Sequence, residues 1–309
     1  MSLSLGQKAG WGLADMGIVV FVIVKQLLIL AFMNSFLGIP IALAGAVTTA
    51  VLIFDIISDP IIGYFSDKTV SRFGRRAPWM LVGAVVLALA MIGLFAVPEN
   101  FTTSASLIWV TVFFLISTLG FTMVSIPYGA MAGEMTLDKK ERSSMTAWRM
   151  AFASLGILVG GALIPILAGD TKSGYTFAAI CVAPLIILSI WFSVFFTRNA
   201  PHTLVPSQQN FSHILKLVLA NRAFVTLVIL YGIMTLAIAL ITAGLPFAAM
   251  YLIMDDGNSL LSGAAKGLGT LSLMFAAFVI GSIISQAIWV KLSNLYGKVA
   301  AQLIGILCY

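Results

Sequence analysis

Two carboxylates stand one helical turn apart inside an apolar stretch of this sequence. Asp55 and Asp59 lie within FDIISDP, and the apolar run around them reaches from Pro40 to about Phe65. Residues four apart on a helix share one face. Two carboxylates in this arrangement could bind one monovalent cation, with neutral oxygens from another helix completing the shell. The same pair could instead hold a single proton.

Further charged and polar side chains occupy apolar stretches of the same kind: Asp15, Lys25, Gln26, Thr122 and Ser125. A charge at the centre of a membrane costs roughly 2.5–3.5 kcal/mol, so each charge needs a partner or a water-filled cavity. At 1.5 Å per residue, Lys25 lies about 21 Å and Asp55 about 16 Å from the same side of the membrane. Two interpretations stay open. The two residues could form an ion pair that only neutralises both, or Lys25 could replace the cation in one state or bind an anionic solute.

The composition is that of an integral membrane protein. Of the 309 residues, 61% are hydrophobic and only 9% are charged, and the mean hydropathy is +1.08. The net charge of +6 does not indicate a nucleic-acid partner, because Lys and Arg gather in the cytoplasmic loops of membrane proteins. The two cysteines predict no disulfide framework. His202 and His213 have no Cys or acidic neighbours and predict no metal site.

Eight apolar segments are long enough to cross a membrane as helices, since about 20 residues span the hydrocarbon. Strands of this length without alternation could not satisfy their backbone groups in lipid, so an all-α membrane protein is predicted. The segments are about 11–37, 40–66, 78–97, 106–134, 144–168, 176–197, 223–253 and 267–290. A ninth segment begins at Val299 and the sequence ends within it. We therefore expect a chain truncated at its C-terminus.

Basic loops predict the orientation and the organisation. The loop 67–77 carries four basic residues, and the loop around residue 140 on the same side carries three more. By the positive-inside rule, we expect a cytoplasmic N-terminus, and no cleavable signal peptide is predicted. Six closely joined spans precede a polar linker. We expect an N-terminal six-helix bundle over 1–197, a cytoplasmic linker over 198–222 and a partial C-terminal bundle over 223–309, as in transporters built from two parallel repeats.

Four motifs resemble those of the glycoside–pentoside–hexuronide:cation symporters, the melibiose-permease-like branch of the major facilitator superfamily. They are GWGLADMG (10–17), FDIISDPIIGYFSDKTVSRFGRRAPW (54–79), SIPYGAM (125–131) and TLDKKERSSMTAWRMAFASLG (136–156). The resemblance runs from about Lys8 through the sixth span. It implies the major facilitator fold and a secondary active transporter. Such a protein couples symport of a small polar solute to Na⁺ or H⁺ by alternating access.

The resemblance also implies a cation site. In the melibiose permeases, two aspartates of the second span bind sodium with a threonine and an aspartate of the fourth span. The matching positions here are Asp55, Asp59, Thr122 and Ser125. Because a serine replaces the aspartate of the fourth span, Na⁺ and H⁺ coupling both stay open.

For the solute, the resemblance implies a sugar or glycoside as the family default. The galactoside-transporting members carry Lys-Asp where this chain has Ile18 and Val19, and an arginine where it has Leu52. A galactoside is therefore not expected. Lys25 favours an anionic solute such as a uronate or a sulfonate.

Two further groups of residues are expected to have roles. The substrate cavity should include Asp15, Lys25, Gln26, Tyr128 and Arg149, although Arg149 could also snorkel to the interface. A structural cytoplasmic motif should consist of Gly63, Asp67, Gly74, Arg75 and Arg76. An interfacial aromatic belt is expected for three tryptophans near span ends, Trp11, Trp79 and Trp148. Expected partners are the solute, a monovalent cation and the lipid bilayer of a bacterial inner membrane, with no cofactor and no metal besides Na⁺.

Other classes of protein fit the sequence less well. The aspartates at 55, 59 and 67 do not match the N-D-x-x-D-x-x-x-D pattern of membrane prenyltransferases. The Gly-x-Gly-Asp motif of intramembrane aspartyl proteases is absent from the sequence as well, so an enzyme is not predicted. The alternative is a transport-inactive fragment, or a scaffold or sensor that keeps the fold without transporting.

Overall fold

The computed structural model describes residues 3–169, 171–200 and 220–251, together with isolated positions beyond residue 272. In these residues, seven helices are long and apolar enough to cross a membrane, which confirms the all-α prediction. We number them α1 to α7. The first four are α1 (Leu5–Ser35), α2 (Ile41–Lys68), α3 (Ala77–Phe95) and α4 (Thr103–Met135). The helix α5 has three consecutive parts, Lys139–Leu158, Val159–Leu163 and Ile164–Ala168. The last two are α6 (Lys172–Thr197) and α7 (Arg222–Tyr251).

The first seven predicted spans match these helices to within a few residues at most ends. The predicted span 267–290 and the start of a ninth lie outside the described residues, apart from isolated positions. Most of the predicted linker, from residue 201 to residue 219, lies outside them as well.

Side-chain caps set several helix starts. Ser4 and Gln7 form a capping box at α1, in which each side chain bonds to the backbone N–H of the other. Thr102 caps α4 and Thr171 caps α6, each by accepting a bond from a backbone N–H of the first turn. These polar residues mark where the apolar runs begin to be helical.

Close packing of α1 against α5 determines which side chains meet in the interior. A Cβ atom added at Gly12 would lie 2.8 Å from the backbone nitrogen of Arg149, and one added at Gly156 would lie 2.4 Å from the carbonyl oxygen of Met16. Only glycine allows the two backbones to approach this closely, as is common between membrane helices. The contact brings Asp15 of α1 beside Arg149 of α5.

Both α1 and α5 contain a π-helical turn, Val24–Leu28 in α1 and Val159–Leu163 in α5. The two turns contact each other, and α7 packs against the turn in α1. The turn in α1 carries Lys25 and Gln26, so it positions two of the predicted cavity residues. Such turns occur frequently at functional sites.

The helix α2 carries the two central aspartates and packs mainly against α4. Its exposed side chains include Ile53, Ile56, Ile57 and Ile61. Large exposed apolar side chains fit a membrane-embedded helix, whereas a soluble monomer rarely exposes an apolar patch of this size.

Candidate functional site

A short ion pair joins α1 to α2. The Nζ atom of Lys25 lies 2.7 Å from Oδ2 of Asp55, and the two side chains are only 13% and 17% exposed. The ammonium group also lies 5.8 Å from the centre of the Phe121 ring in α4. Of the two interpretations that the sequence left open for Lys25, the neutralising pair is present in this structure.

The other oxygen of Asp55 bonds to α4. Thr122 donates a hydrogen bond from Oγ1 to Asp55 Oδ1 over 3.1 Å. The hydroxyl of Ser58 lies 3.5 Å from the same Thr122 hydroxyl. Three helices therefore converge on Asp55. Sequence reasoning missed Ser58, although its position three residues after Asp55 on α2 places both on one face of the helix.

Asp59 lies one turn further along α2 and has no basic partner among the described residues. Its carboxylate is half-buried, and the Oδ1 atom is buried without a hydrogen-bond partner. Burying a carboxylate oxygen without a partner is costly. Within the described spans, Lys25 pairs with Asp55 and Arg149 pairs with Asp15. The cluster around Asp55 and Asp59 thus holds two carboxylates and a single basic group, Lys25, in the described part of the chain.

Two of the predicted residues do not join this cluster. Ser125 lies one turn beyond Thr122 on α4, and Gln26 follows Lys25 in the π-helical turn. Both are half-buried. Within the described part of the chain, neither side chain forms a hydrogen bond with Asp55 or Asp59. The structure thus brings Asp55 and Thr122 together with Lys25, whereas Ser125 and Gln26 are only neighbours along their helices.

A second ion pair joins α1 to α5. The Nε atom of Arg149 lies 3.1 Å from Oδ2 of Asp15, whose side chain is 2% exposed, whereas that of Arg149 is 40% exposed. The Oδ1 atom of Asp15 is buried without a hydrogen-bond partner. Arg149 therefore reaches inward to α1 instead of snorkelling to the interface, and one side of its guanidinium group stays open.

An aromatic pair adjoins this second ion pair. The rings of Trp11 and Tyr128 stack with their centres 4.8 Å apart, and Trp11 Nε1 donates a hydrogen bond to the backbone oxygen of Tyr128 over 3.3 Å. Trp11 is only 2% exposed. The expectation of an interfacial belt for Trp11 is wrong, because its ring packs in the core between α1 and α4. The hydroxyl of Tyr128 is buried without a partner, and the Arg149 guanidinium lies 5.6 Å from its ring centre.

The predicted cytoplasmic motif forms an ion-pair network at the helix ends beside the loop 67–77. Arg76 lies 2.8 Å from Asp67 and 2.8 Å from Glu134, and Arg75 lies 3.1 Å from the same Glu134 oxygen. Gly74 has a φ of +92°, a conformation that glycine adopts without strain. The network ties the start of α3 to the ends of α2 and α4.

Two details of this network differ from the expectation. Glu134 is its central carboxylate, and sequence reasoning missed it. Its position at the end of an apolar span, facing a basic loop, was the available signal. Gly63 makes no unusually close approach, since an added Cβ atom would lie 3.5 Å from Ile126, an ordinary van der Waals distance.

The fold and the buried charges together define a multi-pass membrane protein with ionisable groups inside its spans, and such groups commonly mark an ion or solute path. The family model described as MFS/sugar transport protein matches residues 10–309. The chain therefore belongs to this family of the major facilitator superfamily. Its members are transporters, which places the chain outside the enzymes.

Similar curated proteins carry transporter names. The chain is 30% identical to the putative glycoside/cation symporter YagG of Escherichia coli (strain K12), over 71% of this chain and 48% of YagG. It is 28% identical to the uncharacterized symporter YjmB of Bacillus subtilis (strain 168), over 98% of this chain and 65% of YjmB. It is also 28% identical to a putative sulfoquinovose importer of Salmonella typhimurium, over 62% of this chain and 43% of that protein. The chain thus spans less than two thirds of the length of these relatives.

Proposed function

We propose that this chain forms part of a symporter that couples uptake of a small sugar-type solute to a monovalent cation, Na⁺ or H⁺. The observation that carries the proposal is the excess of one carboxylate over the single lysine in the cluster of Lys25, Asp55 and Asp59. One net negative charge in the interior is balanced when one cation or one proton binds. The charge count is the same for both ions, so the proposal includes both.

In the proposed site, oxygens of Asp55, Asp59 and Thr122 bind the cation, and Ser125 completes the shell after a small shift of α4. Lys25 acts as an internal counter-ion that a bound cation must displace from Asp55. A membrane potential of 100 mV supplies about 2.3 kcal/mol for each charge carried inward. This energy corresponds to roughly a fifty-fold solute gradient for one ion.

The proposed solute is a sugar, a glycoside or an anionic sugar derivative such as a uronate or a sulfonate. Two features near α1 support it: the open side of the Arg149 guanidinium and the unpartnered hydroxyl of Tyr128. Arginine recognises carboxylate and sulfonate oxygens well, and a tyrosine hydroxyl can bond to a sugar hydroxyl. One relative is named as a putative sulfoquinovose importer, which also fits an anionic sugar. Asp15, Lys25 and Gln26 complete the proposed cavity.

For the arrangement in the cell, the proposal places the chain in a bacterial inner membrane with its N-terminus in the cytoplasm. The basic loop 67–77 supports this orientation. The proposed organisation keeps a six-helix bundle over 1–197, a cytoplasmic linker over 198–222 and a partial second bundle from residue 223 to residue 309. Reporter fusions after residues 75 and 99 would test the orientation, since only the first should report a cytoplasmic location.

The deciding experiment compares solute accumulation in cells that produce the unmodified protein, Asp55→Asn or Asp59→Asn. Radiolabelled sulfoquinovose, glucuronate and glucose serve as solutes. Both variants should lose accumulation driven by the ion gradient, while counterflow exchange at equal ion concentrations should persist. Glu99→Gln is the matched control, because it removes one exposed carboxylate from the turn before α4. Full accumulation by both variants would overturn the cation site. No exchange of any solute by the unmodified protein would favour a non-transporting scaffold.

A further inference from the structure

A cleft separate from the buried charges opens between the start of α3 and the ends of α4 and α6. Its volume is about 240 Å³, and its lining includes Arg75, Arg76, Glu134 and Arg198. It lies beside the basic loop 67–77, at the same end of the helices. The family match and the proposed cation site assign no role to this cleft.

The lining of the cleft has an excess of positive charge. Arg75 and Arg76 share one carboxylate, Glu134, and Arg76 also contacts Asp67. Arg198 forms no ion pair with any described residue, and its guanidinium lies 4.4 Å from the centre of the exposed Phe195 ring. The lining of the cleft thus includes three guanidinium groups and one carboxylate, that of Glu134. Guanidinium groups bind phosphate oxygens through paired hydrogen bonds, so the cleft suits a phosphate oxyanion.

Below the cleft, the exposed surface is aromatic along α6 and aliphatic along α3. Trp191 is 44% exposed, and its Nε1 donates a hydrogen bond over 3.1 Å to the backbone oxygen of Leu81 in α3. Trp191 and Arg198 are seven residues apart, so they lie on one face of α6 at a separation of about 10 Å along its axis. We call the exposed apolar surface beside Trp191, where α6 meets α3, the groove. A charged cleft next to this surface matches a ligand with an anionic head and apolar chains.

We propose that the cleft binds the phosphate of an anionic phospholipid, and that an acyl chain of this lipid lies in the groove beside Trp191. Basic pockets between membrane helices bind anionic headgroups in this manner. Arg198 is the central ligand, because its charge is otherwise uncompensated in the described residues. Free inorganic phosphate offers the same oxyanion, but it would gain nothing from the groove. The lipid is therefore the occupant that uses both parts of the site.

The test measures lipid binding to the purified protein by native mass spectrometry, with phosphatidylglycerol and phosphatidylcholine titrated separately and inorganic phosphate added as a competitor. Arg198→Gln should weaken phosphatidylglycerol binding about tenfold, because a charge-assisted contact is lost. Arg72→Gln is the matched control. It removes the same charge from an exposed position of the loop 67–77, and the Arg72 side chain itself is not part of the cleft lining. It should change binding less than twofold. Phosphatidylcholine should bind weakly to all three proteins.

Trp191→Leu provides a second variant that leaves the arginines intact. It should weaken binding of phosphatidylglycerol and leave binding of inorganic phosphate unchanged. Equal losses in Arg198→Gln and Arg72→Gln would overturn the site, since they would indicate only general surface charge. Equal binding of the two lipids would overturn it as well. If inorganic phosphate displaces phosphatidylglycerol at equal concentration, the lipid assignment is wrong and the cleft is a site for soluble phosphate.

Discussion

Lys25 Nζ lies 2.7 Å from Asp55 Oδ2, so a side-chain ammonium group occupies a carboxylate oxygen of the proposed cation site. A free cation and the ammonium group cannot both bind this oxygen at full strength. Under the proposed function, cation binding therefore requires Lys25 to move away from Asp55. The stability of this ion pair then becomes part of the affinity for the coupling ion.

The first prediction concerns the stability of the Lys25–Asp55 pair. Lys25→Met and Asp55→Leu should each lower the melting temperature of the detergent-solubilised protein, because breaking a buried pair costs about 3–5 kcal/mol. The double variant Lys25→Met/Asp55→Leu should recover most of the loss, since it removes both members of the pair and leaves neither without its partner. Thermal unfolding followed by tryptophan fluorescence measures the effect. If the double variant loses the sum of the two single effects, the two residues do not stabilise the fold as a pair.

The second prediction concerns the hydroxyl of Thr122, which donates to Asp55 across α2 and α4. Thr122→Val should raise the cation concentration for half-maximal uptake about tenfold, because a hydrogen bond to a charged group contributes about 1.5–3 kcal/mol. Thr111→Val is the control on the same helix, since its hydroxyl bonds only to the backbone oxygen of Leu107 in its own helix. Uptake measured over a range of Na⁺ concentrations and of pH also identifies the ion. Equal behaviour of the two variants would remove Thr122 from the site.

The third prediction concerns the choice of solute at Arg149. Its guanidinium is paired with Asp15 on one side and open on the other. Arg149→Gln should weaken exchange of glucuronate and sulfoquinovose about tenfold more than exchange of glucose, because only the anionic solutes lose a charge-assisted contact. Asp15→Asn should act in the opposite direction, since it frees the guanidinium from its partner. Counterflow with each solute provides the measurement. Equal losses for charged and neutral solutes would indicate that Arg149 only supports the fold.

The positions of the helices and one ion pair could be predicted from sequence, and the physical reason is the same for both. Hydrocarbon thickness sets the length of a span, and the fixed rise of 1.5 Å per residue sets the depth of each side chain. Lys25 and Asp55 could therefore be placed at similar heights before any contact was known. A similar depth in the membrane predicted a contact between the two side chains because their spans are consecutive and joined by a short turn.

Contacts that depend on helix rotation could not be predicted in this way. The pairing of Asp15 with Arg149 requires two helices distant in sequence to face each other, and the backbone approach at Gly12 and Gly156 decides this. The burial of Trp11 against Tyr128 of α4 likewise depends on the rotation of α1. In spans that are apolar all round, the hydrophobic pattern marks no buried face. The sequence therefore contains no direct signal for the rotation.

The π-helical turn Val24–Leu28 has a consequence for movement within α1. An α-helix turns about 100° with each residue, and a π turn holds one residue more than an α turn. If the π turn changes to an α turn, one half of the helix therefore rotates against the other by about 100°. The hydrogen bonds on either side are kept during such a change, and no segment has to unfold. Lys25 lies on this joint. A rotation there would withdraw its ammonium group from Asp55 while both halves of α1 remain helical.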